Sequence, residues 1–436
     1  MTFKIITLGC KVNTYESEVM QEHLLKAGYK LVEGDAKSDI VIINTCSVTN
    51  MADSKSRKLI RHTKRENPSG VLVVCGCSAE NHQEELKDLN IDILIGNNGK
   101  SKIVSLINNY LASKTPYTYF AGTRDLDFED MEVDKFTTHT RGFIKVQDGC
   151  NNFCTYCIIP YMRGNIRSKN FNVALKEAEN LVNNGHQEIV LTGIHTGSYG
   201  RGTDHDLTDL INAMSKIAGL KNIRISSIEI TELDEKFMEM LKTNPKVCHH
   251  MHIPLQSGSD KILKLMNRKY NKQEFLAKIE EIRTCIPDIN ITTDVITGFP
   301  DETEEDFQEC LDFVKKVGFT KIHTFPYSER TGTVASKMPN QVPVNIRKDR
   351  AKRLIELSDT LEYAYNQEQI GKIFPVLIEE VNDVTSTGHT GTYLKVVVKE
   401  KLEHNKFYNI KITEAFKDHV IVVIVEMCYT DYNDRW

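Results

Sequence analysis

The first part of the chain, from residue 1 to about residue 112, alternates short apolar runs with longer amphipathic stretches. The apolar runs are FKIITL, DIVIINT, VLVVCG and DILIG, and stretches such as TYESEVMQEHLLKAG follow them with helical periodicity. Strands that alternate with helices favour a parallel sheet covered by helices on both faces. We therefore predict an amino-terminal open parallel α/β sheet over 1–112.

The same alternation returns with longer repeats over 136–366, after a polar linker over 113–135. The candidate strands of this segment read GFIKVQDG, QEIVLTGI, IRISSIEI, MHIPLQS, ITTDVITGF and KIHTFPYS. A series of strand–helix units of this length predicts a central partial (β/α) barrel. In such barrels the functional residues lie at the carboxyl-terminal face of the strands.

After about residue 370 the helical periodicity ends. The runs IFPVLIEEV, TYLKVVVKE, KFYNIKITEAF and HVIVVIVEM alternate at period two, and Gly, Asn and Asp separate them. Short strands of this kind predict a small antiparallel β-barrel over 370–436, a fold that often binds nucleic acid.

The composition is that of a soluble globular protein of several domains, with 436 residues, of which 40% are hydrophobic and 26% are charged. No apolar run approaches the roughly 20 residues that a membrane span needs, and the opening MTFKIITLGC lacks the regions of a signal peptide. We therefore expect a cytoplasmic protein with no membrane attachment. The net charge of −5 argues against a general affinity for polyanions, so contact with nucleic acid must come from local patches, for which 54–65 and 347–353 are candidates.

The 11 cysteines are not expected to form disulfides, because the cytosol keeps thiols reduced. Five of them lie in apolar or mixed surroundings, and we expect these to be small buried hydrophobic residues: Cys75, Cys248, Cys285, Cys310 and Cys428. The other six stand beside glycine or in a tight cluster and need a different explanation.

Three of these six cysteines each follow a predicted strand of the amino-terminal sheet, namely Cys10 in LGC, Cys46 in NTC and Cys77 in CGC. The carboxyl ends of parallel strands share one edge of a sheet, where ligands bind. We therefore predict that these three thiols converge on one site although they are far apart in the sequence.

The remaining three are Cys150, Cys154 and Cys157, in DGCNNFCTYC directly after the first strand of the predicted barrel. Their C-x-x-x-C-x-x-C spacing differs from the paired C-x-x-C of a zinc ribbon, and the next cysteine, Cys248, is too remote for a local fourth ligand. Three thiolates on one short loop suit an iron–sulfur cube that leaves one iron open, because soft sulfur suits iron. The open iron fits the amino and carboxylate groups of S-adenosylmethionine, and an electron passed through it would release a 5′-deoxyadenosyl radical.

Residues 150–164, CNNFCTYCIIPYMRG, resemble the radical S-adenosylmethionine signature in its methylthiotransferase form. The segments GCKVNTYESE, NTCSVTNMADSKSR and GCSAE resemble the three cysteine motifs of that family's amino-terminal domain, and the terminal barrel resembles a TRAM domain, which implies RNA binding. The resemblance covers essentially the whole chain. It implies two 4Fe–4S clusters, one on each cysteine triplet, and two molecules of S-adenosylmethionine per turnover.

Within the family, GCKVN followed by YE is similar to the branch that methylthiolates threonylcarbamoyladenosine at position 37 of tRNA, at carbon 2 of the adenine. The implied partners are the anticodon stem-loop of a tRNA, an external electron donor and a sulfur source. Cys75 is an extra cysteine close to Cys77, and the GC-x-A pattern makes Cys77 the predicted ligand.

The resemblance also implies contacts to S-adenosylmethionine from the cysteine loop and the strand ends, at Tyr156, Thr192, Gly193, Glu229, Gln256, Ile296 and Gly298. A carboxylate suits the ribose hydroxyls or the methionine ammonium, and glycines let the backbone approach a ligand. We expect the His249-His250-x-His252 run to serve packing or substrate contact, because no carboxylate triad accompanies it.

Other functions stay open on the sequence alone. The same chemistry is compatible with isopentenyladenosine in tRNA or with a ribosomal protein side chain, and the protein substrate predicts activity without RNA. A non-catalytic iron–sulfur RNA-binding protein would bind tRNA without cleaving S-adenosylmethionine under reduction. A zinc-only structural protein would be colourless.

Overall fold

The computed structural model of the protein describes residues 1–34, 36–47, 49–123, 126–137 and 139–425, so Cys428 lies outside the described residues. The three predicted architectures are confirmed: a parallel amino-terminal sheet, a central partial barrel and a closed terminal barrel. Within the described ranges, no helix has both the length and the apolar character that crossing a membrane requires.

The amino-terminal sheet consists of β1 (Thr2–Thr7), β2 (Lys30–Leu31), β3 (Ile40–Thr45), β4 (Val71–Gly76), β5 (Ile93–Ile95) and β6 (Tyr117–Tyr119). Its helices are α1 (Lys11–Lys26), α2 (Asn50–Glu66), α3 (Cys77–Asn81), α4 (Gln83–Lys87) and α5 (Ile103–Ser113). All strands run parallel in the order β2-β1-β3-β4-β5-β6. Strands β3 and β4 are buried along their whole length, because apolar clusters cover both faces of the sheet.

Described residues near both ends of the segment predicted as a linker, 113–135, pack with the neighbouring parts of the chain. Its residues Tyr117–Tyr119 form β6 and pair with β5, and Met131 and Val133 are buried in the core of the central barrel. The sequence pattern misses this because single apolar residues among aspartates and glutamates show no periodicity. The division of the chain at residues 112, 136, 366 and 370 stays a prediction.

The central part contains β7 (Gly142–Lys145), β8 (Gln147–Asp148), β9 (Arg167–Ser168), β10 (Glu188–Thr192), β11 (Asn222–Ile225), β12 (His250–His252), β13 (Asn290–Thr297) and β14 (Lys321–Pro326). Strands β7, β10 and β11 form one parallel sheet, β12, β13 and β14 form another, and β8 pairs with β9. A bridge between Ile223 and Val247 joins the two sheets, so β7 and β14 are the edges of a partial barrel.

The helices of this part are α6 (Ile159–Arg163), α7 (Phe171–Asn183), α8 (Leu207–Met214), α9 (Glu235–Thr243), α10 (Asp260–Leu265), α11 (Lys272–Cys285), α12 (Glu304–Val317) and α13 (Val344–Glu368). Capping boxes start three of them, with Asp206, Asn271 and Thr303 as N-caps. Helix α1 packs beside the edge strand β7, and its Tyr15 and Val19 join the barrel core. The amino-terminal sheet therefore lies along the open side of the barrel.

The terminal barrel consists of β15 (Ile373–Val381), β16 (Ser386–Thr390), β17 (Lys395–Val398), β18 (Phe407–Ala415) and β19 (Val420–Ile424). It closes in the order β15-β16-β17-β19-β18, with antiparallel pairs except for β17 and β19. Strand β16 reads STGHT and has no large apolar residue, so the period-two pattern does not find it.

The turn between β16 and β17 inserts into the amino-terminal end of the central barrel. Arg224 donates to the carbonyls of Thr390 and Gly391 at 3.1 and 3.2 Å. The Tyr393 ring stacks on His250, the first residue of β12, with a centroid distance of 4.7 Å. The terminal barrel is thus anchored in the floor of the central barrel.

Candidate active site between two cysteine triplets

The amino-terminal cysteines stand at the ends of three neighbouring strands. Cys10 lies between β1 and α1, Cys46 directly follows β3, and Cys77 opens α3 after β4. Strands β1, β3 and β4 are adjacent in the sheet, so the topology brings the three residues to one edge as predicted.

The glycines that precede two of these cysteines are needed for close approach. Gly9 has φ +111°, and a Cβ placed there would lie 2.9 Å from the Cys46 sulfur. Gly76 has φ +97°, and its Cβ would lie 2.5 Å from the Thr45 carbonyl oxygen. A side chain at either position would push the loops apart, so the Gly-Cys pairs hold the thiols together.

The extra cysteine beside this triplet occupies a different environment. Cys75 is fully buried in an apolar cluster of the sheet, whereas Cys77 is the first residue of the helix after the strand. Burial raises the pKa of Cys75 to about 12. Cys248 and Cys310 are buried as expected, and Cys285 is half-buried.

The second triplet is folded into a compact loop. The backbone N–H of Cys157 donates to the Cys154 carbonyl at 2.9 Å, and the N–H of Asn152 donates to the Cys150 sulfur at 3.5 Å. Burial raises the pKa of Cys157 to about 12, and the negative charge of Cys154 and Cys150 nearby acts in the same direction. The three thiols are therefore close enough to influence each other.

The donor sets fit iron–sulfur cubes better than single ions. In the described part of the chain, no group of three or more His, Cys, Asp or Glu side chains is arranged to hold one metal ion. A cube binds each thiolate to a different iron, so its ligands need not converge on one point. Two triplets of soft thiolates, each on tight loops, match that requirement.

A buried set of charges, which we call the charge cluster, connects the two triplets. Its members come from α1, α6 and the surrounding loops and strands: Glu16, Lys100, Lys145, Asp148, Arg163 and Arg167. All six are buried, and the cations outnumber the carboxylates by two charges. Arg163, the last residue of the helix α6 that follows the second triplet, interacts electrostatically with Cys77 and Cys10, so its positive charge lies near the amino-terminal thiols.

A second contact joins the two parts of the site through Arg330, in the loop after β14. Its guanidinium donates to Asp53 at 2.6 Å and to the Ser47 hydroxyl at 2.6 Å, next to Cys46. Farther along the same loop, the N–H of Ala335 donates to the carbonyl of Thr155, at 2.8 Å, beside Cys154. Arg330 and Asp53 are both buried, so this clamp fixes one cysteine loop relative to the other.

Several predicted cofactor contacts surround the second triplet. Arg268 donates to the Cys154 sulfur at 3.4 Å and forms an ion pair with Glu229. Burial opposes the charged form of Arg268, but Tyr156, Glu229 and Cys154 act to raise its pKa. These three groups therefore lie around one guanidinium. No local pattern points to Arg268, because its role depends on contacts with Glu229 and Cys154, which are far from it in the chain.

The other predicted contacts lie at strand ends. Ile296 donates its N–H to the Gln256 carbonyl at 2.9 Å, and Gln256 has φ +68°. Gly298 has φ +70°, and a Cβ there would lie 2.4 Å from the Arg347 side chain of α13. A glycine is therefore needed where this turn packs against α13. Thr192 is the last residue of β10 and Gly193 follows it, and a Cβ on Gly193 would lie 3.0 Å from Gln147. Their contacts to a cofactor stay predictions.

His195 is a residue that the sequence did not single out. Its Nε2 lies 2.8 Å from the Glu232 carboxylate. Burial opposes its charged form, but the Cys150 thiol and Glu232 outweigh burial and raise the pKa of His195 to about 10. The His195 imidazole thus lies between the Glu232 carboxylate and the first cysteine of the loop.

The basic runs differ in their availability for RNA. On α2, four cations of the first run are exposed: Lys55, Lys58, Arg61 and Arg65. In the second run, Arg347 and Arg350 are buried, and Arg350 pairs with Glu302 at 2.7 Å. The second run is thus largely structural. The first remains accessible.

The histidine run is used for packing and local pairing. His249 pairs with Asp288 at 2.9 Å, His250 stacks on Tyr393, and His252 lies 3.3 Å from Asp294.

Comparisons with known proteins agree with this arrangement. The profile of the Radical SAM superfamily matches residues 144–314, and that of Uncharacterized protein family UPF0004 matches residues 2–96. A "Threonylcarbamoyladenosine tRNA methylthiotransferase MtaB" from Bacillus subtilis (strain 168) is 39% identical, covering 98% of this chain and 97% of its own. A Thermotoga maritima protein of the same name is 37% identical over 98% of both chains.

A "tRNA-2-methylthio-N(6)-dimethylallyladenosine synthase" from Thermoanaerobacter sp. (strain X514) is also 37% identical, over 95% of this chain and 90% of its own. Among solved structures, the radical S-adenosylmethionine methyltransferase TsrM from Kitasatospora setae has a TM-score of 0.55 at 12% identity, covering 74% of this chain and 72% of that one. The similarity to TsrM concerns the fold alone.

Proposed function

Because the chain belongs to the radical S-adenosylmethionine tRNA methylthiotransferase family, we propose that it inserts a methylthio group at carbon 2 of threonylcarbamoyladenosine at position 37 of tRNA. The observation that carries this proposal is the meeting of two cysteine triplets at one charge cluster. Relatives named for this nucleoside support the choice of substrate.

We assign Cys150, Cys154 and Cys157 to hold the 4Fe–4S cluster that the family requires. When bound, this group supplies the electron that splits S-adenosylmethionine into methionine and a 5′-deoxyadenosyl radical. Arg268 orients this loop by donating to Cys154 while it holds Glu229 in place for the cofactor. Tyr156, Thr192, Gly193, Gln256, Ile296 and Gly298 complete the proposed cofactor site.

We assign Cys10, Cys46 and Cys77 to a second 4Fe–4S cluster, at which the sulfur to be inserted is held. The excess positive charge of the charge cluster supports this assignment, because it offsets the negative charge of three thiolates. Two molecules of S-adenosylmethionine are proposed per product, one as methyl donor and one as radical source. An external electron donor and a separate sulfur source complete the reaction, in the cytoplasm where tRNA is modified.

The anticodon stem-loop is proposed to lie across the mouth between the two triplets. Phe153 and Tyr161 of the cysteine loop are 47% and 51% exposed and pack edge to face with centroids 5.9 Å apart. Exposed aromatic rings of this kind stack on unpaired bases, and the cations of α2 suit phosphates. The terminal barrel adds exposed lysines such as Lys395 and Lys411.

The deciding experiment is nucleoside mass spectrometry of tRNA from a deletion strain and from the same strain carrying this gene. We expect the methylthio form of threonylcarbamoyladenosine to disappear and return. A second candidate substrate, dimethylallyladenosine, is favoured by the relatives named for it, and loss of that nucleoside's methylthio form instead would establish it. Purified reduced protein that binds tRNA but never forms 5′-deoxyadenosine would support the non-catalytic alternative.

A further inference from the structure

Lys11 presents an ammonium inside the central barrel. It is the first residue of α1, directly after Cys10, and its Nζ lies 6.0 Å from the centre of the Tyr393 ring in the barrel floor. The charged and titratable groups close enough to interact with it come from every side of the barrel: Arg141, Glu188, Arg224, His250, His323 and Tyr393.

This ammonium lacks an anionic partner among the residues that the structure describes. The carboxylate that interacts with Lys11, Glu188, is engaged by an arginine, since it lies 2.9 Å from Arg224. Arg141, another neighbour of Lys11, has its own partner in Glu379, at 3.0 Å. Two of the neighbours of Lys11 are themselves cations. Burial, together with Arg141 and Arg224, lowers the pKa of Lys11, so an anion bound beside it would stabilise its charged form.

Two side chains of the edge strand β14 are accessible on the side of the barrel where Lys11 lies. His323 is exposed there, and Phe325 is 41% exposed. In the register of the sheet, Phe325 stands opposite Ile296, a proposed cofactor contact, and His323 stands opposite Asp294, two residues closer to the floor. His323, which interacts with Lys11, therefore lies below the level of the proposed cofactor site.

We propose that Lys11 binds the carboxylate of the threonylcarbamoyl group on N6 of the target adenine. This inference rests on the proposed function. Carbon 2 and carbon 6 of adenine flank the same ring nitrogen, N1, and carbon 6 carries N6. A base whose carbon 2 faces the cysteine triplets therefore directs its N6 substituent only a short distance away, where the residue after Cys10 can reach it. An apolar dimethylallyl group would leave the ammonium unpaired, so the pocket selects for an anionic substituent.

The test compares two anticodon stem-loop RNAs that differ only at residue 37, one with threonylcarbamoyladenosine and one with its neutral methylamide. Binding to the cluster-loaded protein is measured anaerobically by fluorescence anisotropy. Phosphate contacts are the same for both RNAs and cancel in the ratio. A charge-assisted hydrogen bond predicts about 10- to 100-fold tighter binding of the acid by the wild type.

Lys11→Met should bring this ratio close to one by weakening binding of the acid alone, and Lys11→Arg should retain most of it. Lys242→Met, at an exposed position of α9, is the matched control and should keep the wild-type ratio. The ratio is formed within each variant, so a general loss of affinity or iron does not disturb it. A wild type without preference for the acid, or a Lys11→Met variant that keeps the preference, overturns the role of Lys11.

Failure of the proposed function has a different signature. In that case reduced wild-type protein supplied with S-adenosylmethionine would methylthiolate a third stem-loop RNA, with dimethylallyladenosine at residue 37, and not the threonylcarbamoyl RNA, as measured by mass spectrometry. A wild type that methylthiolates the threonylcarbamoyl RNA, together with an unchanged ratio in Lys11→Met, refutes the inference while leaving the function intact.

Discussion

Glu16 is the residue of the charge cluster whose replacement should cost the most stability. Its carboxylate is fully buried and lies 2.6 Å from Lys100, 2.8 Å from Lys145 and 3.1 Å from Arg163. Glutamine has nearly the same shape but no charge, so Glu16→Gln leaves four buried cations with Asp148 as their remaining carboxylate within the cluster. Removing one partner of a buried pair costs about 3–5 kcal/mol, and we expect a loss in this range.

The assay is thermal unfolding of the cluster-free protein, followed by circular dichroism. One kcal/mol corresponds to about 2–4 °C for a domain of this size, so the transition that involves the amino-terminal sheet should fall by roughly 6–20 °C. Glu66→Gln, at an exposed position of α2, is the control and should stay within about 0.5 kcal/mol of the wild type. A shift below about 2 °C in Glu16→Gln would refute the reasoning.

Reconstitution gives a second measurement on the same variant. Glu16→Gln increases the repulsion among the buried cations of the charge cluster. Because Arg163 interacts with Cys10 and Cys77, thiolates in this site offset part of that repulsion. We therefore expect a smaller stability deficit in the cluster-loaded protein than in the cluster-free protein. An equal deficit in both forms would show that the charge cluster does not respond to the occupied site.

Three further predictions concern the two triplets, the interface and the RNA surface. Cys46→Ala, with the iron content of the other triplet confirmed, should still form 5′-deoxyadenosine but no methylthiolated nucleoside, whereas Cys154→Ala should form neither; full methylthio product from Cys46→Ala would contradict the division of roles. Although burial raises the pKa of Asp53, hydrogen bonds from His82, Ser47 and Arg330 lower it to about 2. The native state therefore holds fewer protons on Asp53 than the unfolded chain does, and about 2 kcal/mol of stability, present above about pH 4, should be lost as the pH falls through 2. Asp53→Asn should flatten the acid unfolding curve of the cluster-free protein in that window, and an unchanged slope would argue against this pair as its origin. Phe153→Ala should weaken tRNA binding by about 1–3 kcal/mol through lost stacking while Leu25→Ala should not, and equal affinities would remove Phe153 from the RNA surface.

The fold was largely predictable because its strands carry strong local patterns. Continuous apolar runs such as Ile40–Thr45 identify buried parallel strands, and period-two alternation identifies the terminal barrel. The sequence pattern does not identify β6, which is only three residues long, or β16, which has no large apolar residue. Both strands form by pairing with neighbouring strands. Local pattern therefore suffices where burial is continuous and fails where a strand is recruited by its partner.

The candidate site divides in a similar way. The meeting of Cys10, Cys46 and Cys77 follows from the rule that parallel strands end at one edge, so it could be predicted without coordinates. The roles of Arg163 and Arg268 depend on contacts with residues more than 30 positions away, which no local spacing encodes. Local spacing also does not show which cations of the run at 347–353 are buried: Arg347 and Arg350 turn inward to carbonyls and a carboxylate, whereas Lys348 and Lys352 are exposed.

The insertion of the β16–β17 turn into the barrel floor has a consequence for the modularity of the chain. Deleting the terminal barrel would uncover His250 and leave Arg224 without the carbonyls of Thr390 and Gly391, so a truncated protein would lose part of its catalytic barrel together with its candidate RNA-binding part. An exchange of terminal barrels between relatives faces the same constraint. The incoming domain must bring its own fitted turn, or the receiving barrel must be altered at Arg224 and His250 to accept it.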